Sequence, residues 1–150
     1  MWPFAVFVDK GVAFGMMPLE NDLDDVAREF DAILILVEDF ELPYSPDEWR
    51  RRGLEVLHIP VPDRSAPSLN DLLLALRWIK DMRKRGKKVL VHCAGGRGRS
   101  GTVAVAWLMY SKGFTLGEAL RKVRSLRPGA VETESQLKLL RRLELALRTR

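Results

Sequence analysis

The sequence predicts an α/β protein: one domain, residues 1–150, with a central, mostly parallel, twisted sheet flanked by helices. Three observations predict it. Short apolar runs of strand length alternate along the chain with longer stretches of helical period. The run from Ala32 to Val37 is apolar throughout, as expected of a strand covered on both faces. With 150 residues, 47% of them hydrophobic, the chain can build one core, and it shows no repeat, low-complexity segment or linker.

The elements follow in order. Phe4 to Val8 and Val12 to Met16 read as a hairpin around Lys10-Gly11. Glu20 to Phe30 reads as a helix with Leu23, Val26, Ala27 and Phe30 on one face. After the strand Ala32 to Val37, Ser45-Pro46-Asp47-Glu48 has the pattern of a capping box with proline at the first helical position. Leu54 to Ile59 is the next strand, and Pro60 to Pro67 is a loop with three prolines. Ser68 caps a helix to about Arg85 that turns Leu69, Leu72, Leu73, Leu76 and Ile79 inward. Lys87 to His92 is a strand that ends at Cys93. Ser100 to Ser111 is apolar nearly all round and reads as a buried helix. Thr115 with Glu118, and Thr133 with Gln136, form capping boxes that open two more helices. Trp49, Trp78 and Trp107 fall at helical core positions; the pattern leaves Trp2 undecided.

Composition narrows the chemistry. A net charge of +5 favours anionic partners, although a basic solvated surface explains it equally well. The single cysteine excludes an internal disulfide and a Cys/His zinc cluster, so no metal or cofactor is expected. A lone thiol suits a reducing cytoplasm. The stretch Met1 to Val8 is apolar but short and lacks a basic start, so it reads as a strand and not as a signal peptide. No apolar run has the length of a membrane span. Only two Asn and one Gln occur beside 30% charged residues, a balance that resembles thermophile proteins.

The chemistry concentrates in His92-Cys93-Ala94-Gly95-Gly96-Arg97-Gly98-Arg99-Ser100. A strand ends, a loop with three glycines follows, and a helix begins. Glycines let successive backbone N–H groups turn around one point. A helix N-terminus adds the positive end of its dipole. The product is an anion cradle from Ala94 through Gly95, Gly96, Arg97 and Gly98 to Arg99. Arg99 supplies a planar fork that matches two phosphate oxygens. Cys93 lies at the base, where cations and a helix N-terminus favour the thiolate, set for in-line attack on phosphorus. The competing reading is a buried, inert cysteine.

His-Cys-x5-Arg-Ser resembles the signature of the protein tyrosine phosphatase superfamily. Over nearly its whole length the chain looks like the small dual-specificity branch, above all the compact archaeal protein tyrosine phosphatases. The resemblance implies the cysteine phosphatase fold, with the phosphate-binding loop between a strand and a helix. It implies that Cys93 is the nucleophile, that Arg99 binds the phosphoryl group and stabilises the transition state, and that Ser100 stabilises the thiolate as it leaves. His92 would support the loop from beneath, or is simply a satisfied core histidine.

Ester cleavage also needs a proton for the leaving oxygen. Asp63 stands in the proline loop after a strand, where α/β sites are lined. Alone it reads as a turn aspartate; beside the Cys93 loop the acid role is preferred. Family members carry an acid on such a loop about thirty residues before the cysteine, as here. Gln136 resembles the family glutamine that positions water, and is also N3 of a capping box. Glu132 is a weaker candidate for supporting the cradle. In Glu38-Asp39-Phe40-Glu41 the resemblance points to Glu41 as a partner of Arg99, whereas the residues alone favour a solvated acidic turn. Arg97 either selects acidic substrates or faces solvent.

The function expected is a protein tyrosine phosphatase, with dual specificity as its extension, working through a cysteinyl-phosphate. Its partners would be phosphorylated proteins bearing phosphotyrosine, and phosphoserine or phosphothreonine besides, with phosphate or oxyanion mimics binding at the cysteine loop. Nucleic acid is not expected as a partner. The alternative is a phosphatase of phosphoinositides, nucleotides or RNA 5′ ends using the same cysteine. A phosphate-binding module without turnover would lack Cys93, Arg99 or Asp63, and a sulfurtransferase has no need of Asp63.

Overall fold

The structure, a computed structural model, describes residues 2–149. Met1, at the head of the apolar N-terminal stretch, lies outside the described residues. The elements are β1 (Ala5–Phe7), β2 (Val12–Gly15), α1 (Leu23–Glu29), β3 (Ala32–Ile35), α2 (Asp47–Arg51), β4 (Glu55–His58), α3 (Leu69–Lys84), β5 (Val89–His92), α4 (Arg99–Lys112), α5 (Leu116–Leu126) and α6 (Glu134–Arg148). Short 3-10 turns cover Glu20–Asp22 and Asp39–Glu41.

One sheet of five strands runs in the order β1-β2-β5-β3-β4. Only the hairpin pair β1 and β2 is antiparallel; β2 with β5, β5 with β3, and β3 with β4 are parallel. The central strand β5 is buried along its length and pairs Val89 to His92 with Val12 to Gly15 on one side and Ala32 to Ile35 on the other. Connections from β2 to β3 and from β3 to β4 step one way across the sheet; the connection from β4 to β5 steps back. Right-handed crossovers therefore put α1 and α2 on one face and α3 on the other. The packing agrees: α1 touches α2, while α4 gathers α3, α5 and α6. Cys93 thus emerges from the carboxyl end of the central strand, at the switch between connections on opposite faces, where open α/β sheets bind ligands.

The helix α4 carries the weight of the core: every residue from Arg99 to Met109 is buried. Both threonine capping boxes form. Thr115 Oγ1 accepts from Glu118 N, and Thr133 Oγ1 accepts from Gln136 N. Ser68 caps α3 by accepting from Asp71 N.

Three local expectations need correction. The helix expected from Glu20 opens as a 3-10 turn and becomes α-helical only at Leu23. The box at Ser45 does not close. Ser45 Oγ accepts from Asp47 N, but Glu48 pairs forward with Arg51 and Arg52 along the helix instead of reaching back. Trp78 is half-buried and not core, while Trp2 is buried with Trp49 and Trp107. Among the described residues no helix is long and apolar enough to cross a membrane.

Candidate active site

The cysteine loop is shaped by where its carbonyls go. Cys93 O meets His92 Nδ1 at 3.0 Å, Ala94 O accepts from Met17 N, and Gly95 O accepts from Arg127 Nη2. Arg97 O accepts from Val131 N, and Gly98 O accepts from both the N–H and the hydroxyl of Thr102. Each carbonyl is thereby drawn out of the loop. Among the described residues no carbonyl takes the N–H groups of Ala94, Gly95, Arg97, Gly98 or Arg99. Those donors are left for an anion, at the N-terminus of a 14-residue helix.

Two glycines make this path possible. Gly96 has φ +78°, and a Cβ there would lie 2.7 Å from Met16 N. A Cβ on Gly98 would lie 2.5 Å from a Glu132 carboxylate oxygen and 3.0 Å from Gln136 Nε2. On the other side of the loop, Val131 has φ 63°, an uncommon conformation for a β-branched residue. It is held there by bonds at both ends, since its N–H reaches Arg97 O and its carbonyl accepts from Arg124 Nη2.

Cys93 is buried at the floor. Its sulfur accepts from Gly96 N at 3.3 Å and lies 3.1 Å from Ser100 Oγ. The Ser100 hydroxyl also reaches Gly15 O, at 3.4 Å. One hydroxyl has one hydrogen. A thiolate can only accept, so ionised sulfur draws that hydrogen away from Gly15 O.

Arg99 is the most constrained side chain of the site and is 2% exposed. Its Nη1 donates to Glu41 Oε2 at 2.8 Å and to Val61 O at 2.9 Å, and its Nη2 donates to Glu41 Oε1 at 2.9 Å. Three of the five guanidinium hydrogens are thus taken. The Nε–H and the second Nη2 hydrogen remain, on one edge, as a fork for two phosphate oxygens. Burial opposes the charge on Arg99, but the Glu41 bonds and the neighbouring Cys93, Glu41 and Asp63 charges outweigh it and raise its affinity for its proton. The reciprocal effect, led by the Arg99 hydrogen bond, holds the Glu41 carboxyl below the usual range. The acidic turn is therefore not simply solvated. Glu41 is recruited, while Asp39 and Phe40 beside it stay exposed.

Asp63 stands at the mouth, three-quarters exposed, with Oδ1 3.5 Å from Arg99 Nη2. Its loop is fastened at two points. Val61 O holds Arg99, and Ser65 O accepts from Gln136 Nε2 at 3.1 Å. Gln136 is fully buried, and its Oε1 accepts from Glu132 N and Thr133 N. It closes the capping box and anchors the Asp63 loop together. Glu132 is exposed and lies against Gly98 from outside. Arg97 packs its side chain beside Gly129. His92 is fully buried, and burial foremost pushes its imidazole down to about 4, so it is neutral near pH 7. Its Nδ1 faces a carbonyl and so carries the hydrogen, while Nε2 has no partner among the described residues.

All the residues singled out in the sequence therefore converge on one loop. The sequence reading missed Val61, Gly15, Met17, Arg124 and Arg127, which act through backbone groups or on backbone groups. Local pattern carries no signal for such contacts; only a run of carbonyls needing partners in a glycine loop hints that outside donors exist.

Residues 23–145 match the family described as dual specificity phosphatase, catalytic domain. The chain belongs to that family. Among curated relatives of this dual specificity phosphatase is dual specificity protein phosphatase 1 of Arabidopsis thaliana, 39% identical over 93% of this chain and 69% of that protein. Another is phosphatidylglycerophosphate phosphatase PTPMT2 of the same plant, 32% identical over 89% of this chain. The chain spans only 59% of that relative's length. Among solved structures, Tk-PTP in its active form is 62% identical with a TM-score of 0.96, covering 97% of this chain and 99% of its own. The dual specificity phosphatase fold follows for this chain, and the matches support a protein-tyrosine or dual-specificity phosphatase.

Proposed function

We propose that this phosphatase hydrolyses phosphotyrosine in proteins, and phosphoserine and phosphothreonine besides, through a cysteinyl-phosphate. The carrying observation is the pairing of a buried Cys93 sulfur with a loop whose N–H groups, apart from that of Gly96, are unclaimed and an Arg99 edge that is free. The phosphate seats on those donors, and Cys93 Sγ attacks phosphorus. The bond to the ester oxygen breaks, and Asp63 gives that oxygen its proton. Water then attacks the phosphocysteine while the Asp63 carboxylate takes its proton. The S–P bond breaks, and the Ser100 hydroxyl bonds to the departing thiolate. Glu41 and Val61 keep Arg99 in register with the equatorial oxygens throughout. Gln136 and Glu132 brace the loops, and His92 braces the floor. The lone thiol supports a reducing cytoplasm as the setting.

A lipid phosphomonoester is the second reading, favoured by the 32% identity to a phosphatidylglycerophosphate phosphatase. A panel of phosphotyrosine, phosphoserine and phosphothreonine peptides, a phosphoinositide and phosphatidylglycerophosphate, at equal concentration, separates the two. Cys93→Ser is the control: it binds phosphate mimics yet turns over no aryl phosphate. Wild-type turnover by that variant would sink the mechanism, and a clear preference for a lipid would move the substrate while leaving the mechanism in place.

A further inference from the structure

A cleft of about 390 Å³ opens between the C-terminal turns of α3 and α4, lined by Lys80, Arg83, Lys84, Trp107, Tyr110 and Ser111. At about 1.5 Å of rise per residue, α4 carries the chain about 16 Å from Arg99 to Tyr110, so the cleft is remote from the cradle. Its two walls differ in kind. The α3 wall presents three cations. None of the ion pairs among the described residues involves Lys80, Arg83 or Lys84. The α4 wall presents the half-buried Tyr110 ring and the small exposed edge of Trp107, which is 5% exposed, with ring centroids 6.3 Å apart and 35° between planes.

The walls are built and not merely solvated. Arg83 Nη1 donates to Lys87 O, and its guanidinium lies where a side chain on Gly11 would have to go. Trp107 Nε1 donates to Asp9 Oδ2, while Asp9 Oδ1 takes the N–H groups of Gly11 and Val12. Asp9 is thereby fixed by neutral donors, and among the described residues it forms no ion pair with Lys80, Arg83 or Lys84. Asp81 lies toward Arg85. Lys80 Nζ sits 5.9 Å from the Tyr110 ring centroid, joining the two walls.

We propose that this cleft is a second ligand site, one that takes a flat ring carrying phosphate groups, as in a nucleotide. The volume falls within the range of about 300–1,000 Å³ that small-molecule sites occupy. Phosphates meet the α3 wall, where Lys80, Arg83 and Lys84 supply charge, and the ring lies along Tyr110, meeting Trp107 only at its exposed edge. The proposal goes beyond the phosphatase reading and stands apart from the cysteine loop.

The test uses the full chain with tungstate filling the catalytic cradle. ATP is then titrated by calorimetry, and tripolyphosphate is titrated in parallel. ATP is expected to bind with tungstate in place, and Lys80→Ala with Lys84→Ala should weaken it at least tenfold. Aryl phosphate turnover by that variant should be unchanged, which also shows that it folds. Three outcomes each overturn the proposal: ATP binding lost once tungstate is present, equal affinity in the variant, or tripolyphosphate binding as tightly as ATP.

Discussion

Glu41 and Arg99, 58 positions apart, are joined by two hydrogen bonds of 2.8 and 2.9 Å between the carboxylate and the end of the guanidinium. The pair turns the remaining Nε and Nη2 edge toward the cradle. Glu41→Gln should therefore loosen the aim of Arg99 without removing its charge. Misplacement of a catalytic group costs on the order of 100-fold. We expect kcat/KM for an aryl phosphate to fall by about 10- to 100-fold, with tungstate affinity falling in parallel. Steady-state kinetics and tungstate inhibition check it, and unchanged values for both would remove Glu41 from the site.

Asp63 approaches the site through a 3.5 Å contact with Arg99 and stands three-quarters exposed at its mouth. Asp63→Asn should slow alkyl or phenyl phosphates by about 100-fold or more, within the usual span of general acid catalysis. Substrates with good leaving groups need little protonation and should be slowed far less. A leaving-group series is the measurement. Equal slowing across the series would assign Asp63 a structural task instead.

Gly96 and Gly95 are adjacent yet differ. At Gly96 both the +78° φ and the approach of Met16 forbid a side chain, whereas a Cβ on Gly95 meets nothing within 4 Å. Gly96→Ala should cost about 1–3 kcal/mol, a drop in Tm of roughly 3–10 °C. Gly95→Ala should leave Tm nearly where it was. Calorimetric scans of both variants decide the matter.

His92 makes stability depend on pH. Its folded value of about 4 lies below the 6.5 of an unfolded chain. Between those values the unfolded chain binds the extra proton and the folded one does not. Its contribution is therefore complete above pH 6.5 and is lost as the pH falls toward 4, by up to about 3 kcal/mol. Glu41, whose folded value is lowered, adds a further loss only below its unfolded value of 4.5. Urea unfolding of wild type and His92→Asn across pH 5–7, above the range where Glu41 acts, should show the slope for the wild type alone.

Sequence reading found what is local. Thr115 with Glu118 and Thr133 with Gln136 sit at fixed helical spacing, and both boxes form because the donors they satisfy are three residues away. The glycine loop was legible for the same reason: strand, glycines, arginine and helix are contiguous. Glu41 was not legible from the residues, because Glu38, Asp39 and Glu41 are equivalent until the sheet places β3 beside β5. Val61 was invisible, since it contributes a carbonyl that every residue possesses. At Ser45 the local rule misled, because the Arg51 and Arg52 guanidinium groups compete for the Glu48 carboxylate.

Gln136 is one side chain with two tenancies. Its oxygen completes the first turn of α6, and its nitrogen holds Ser65 in the Asp63 loop. Order at that helix end and order in the Asp63 loop are consequently coupled through one residue. A cut in either bond of this one side chain is therefore felt in both places, at the start of α6 and in the loop that carries Asp63.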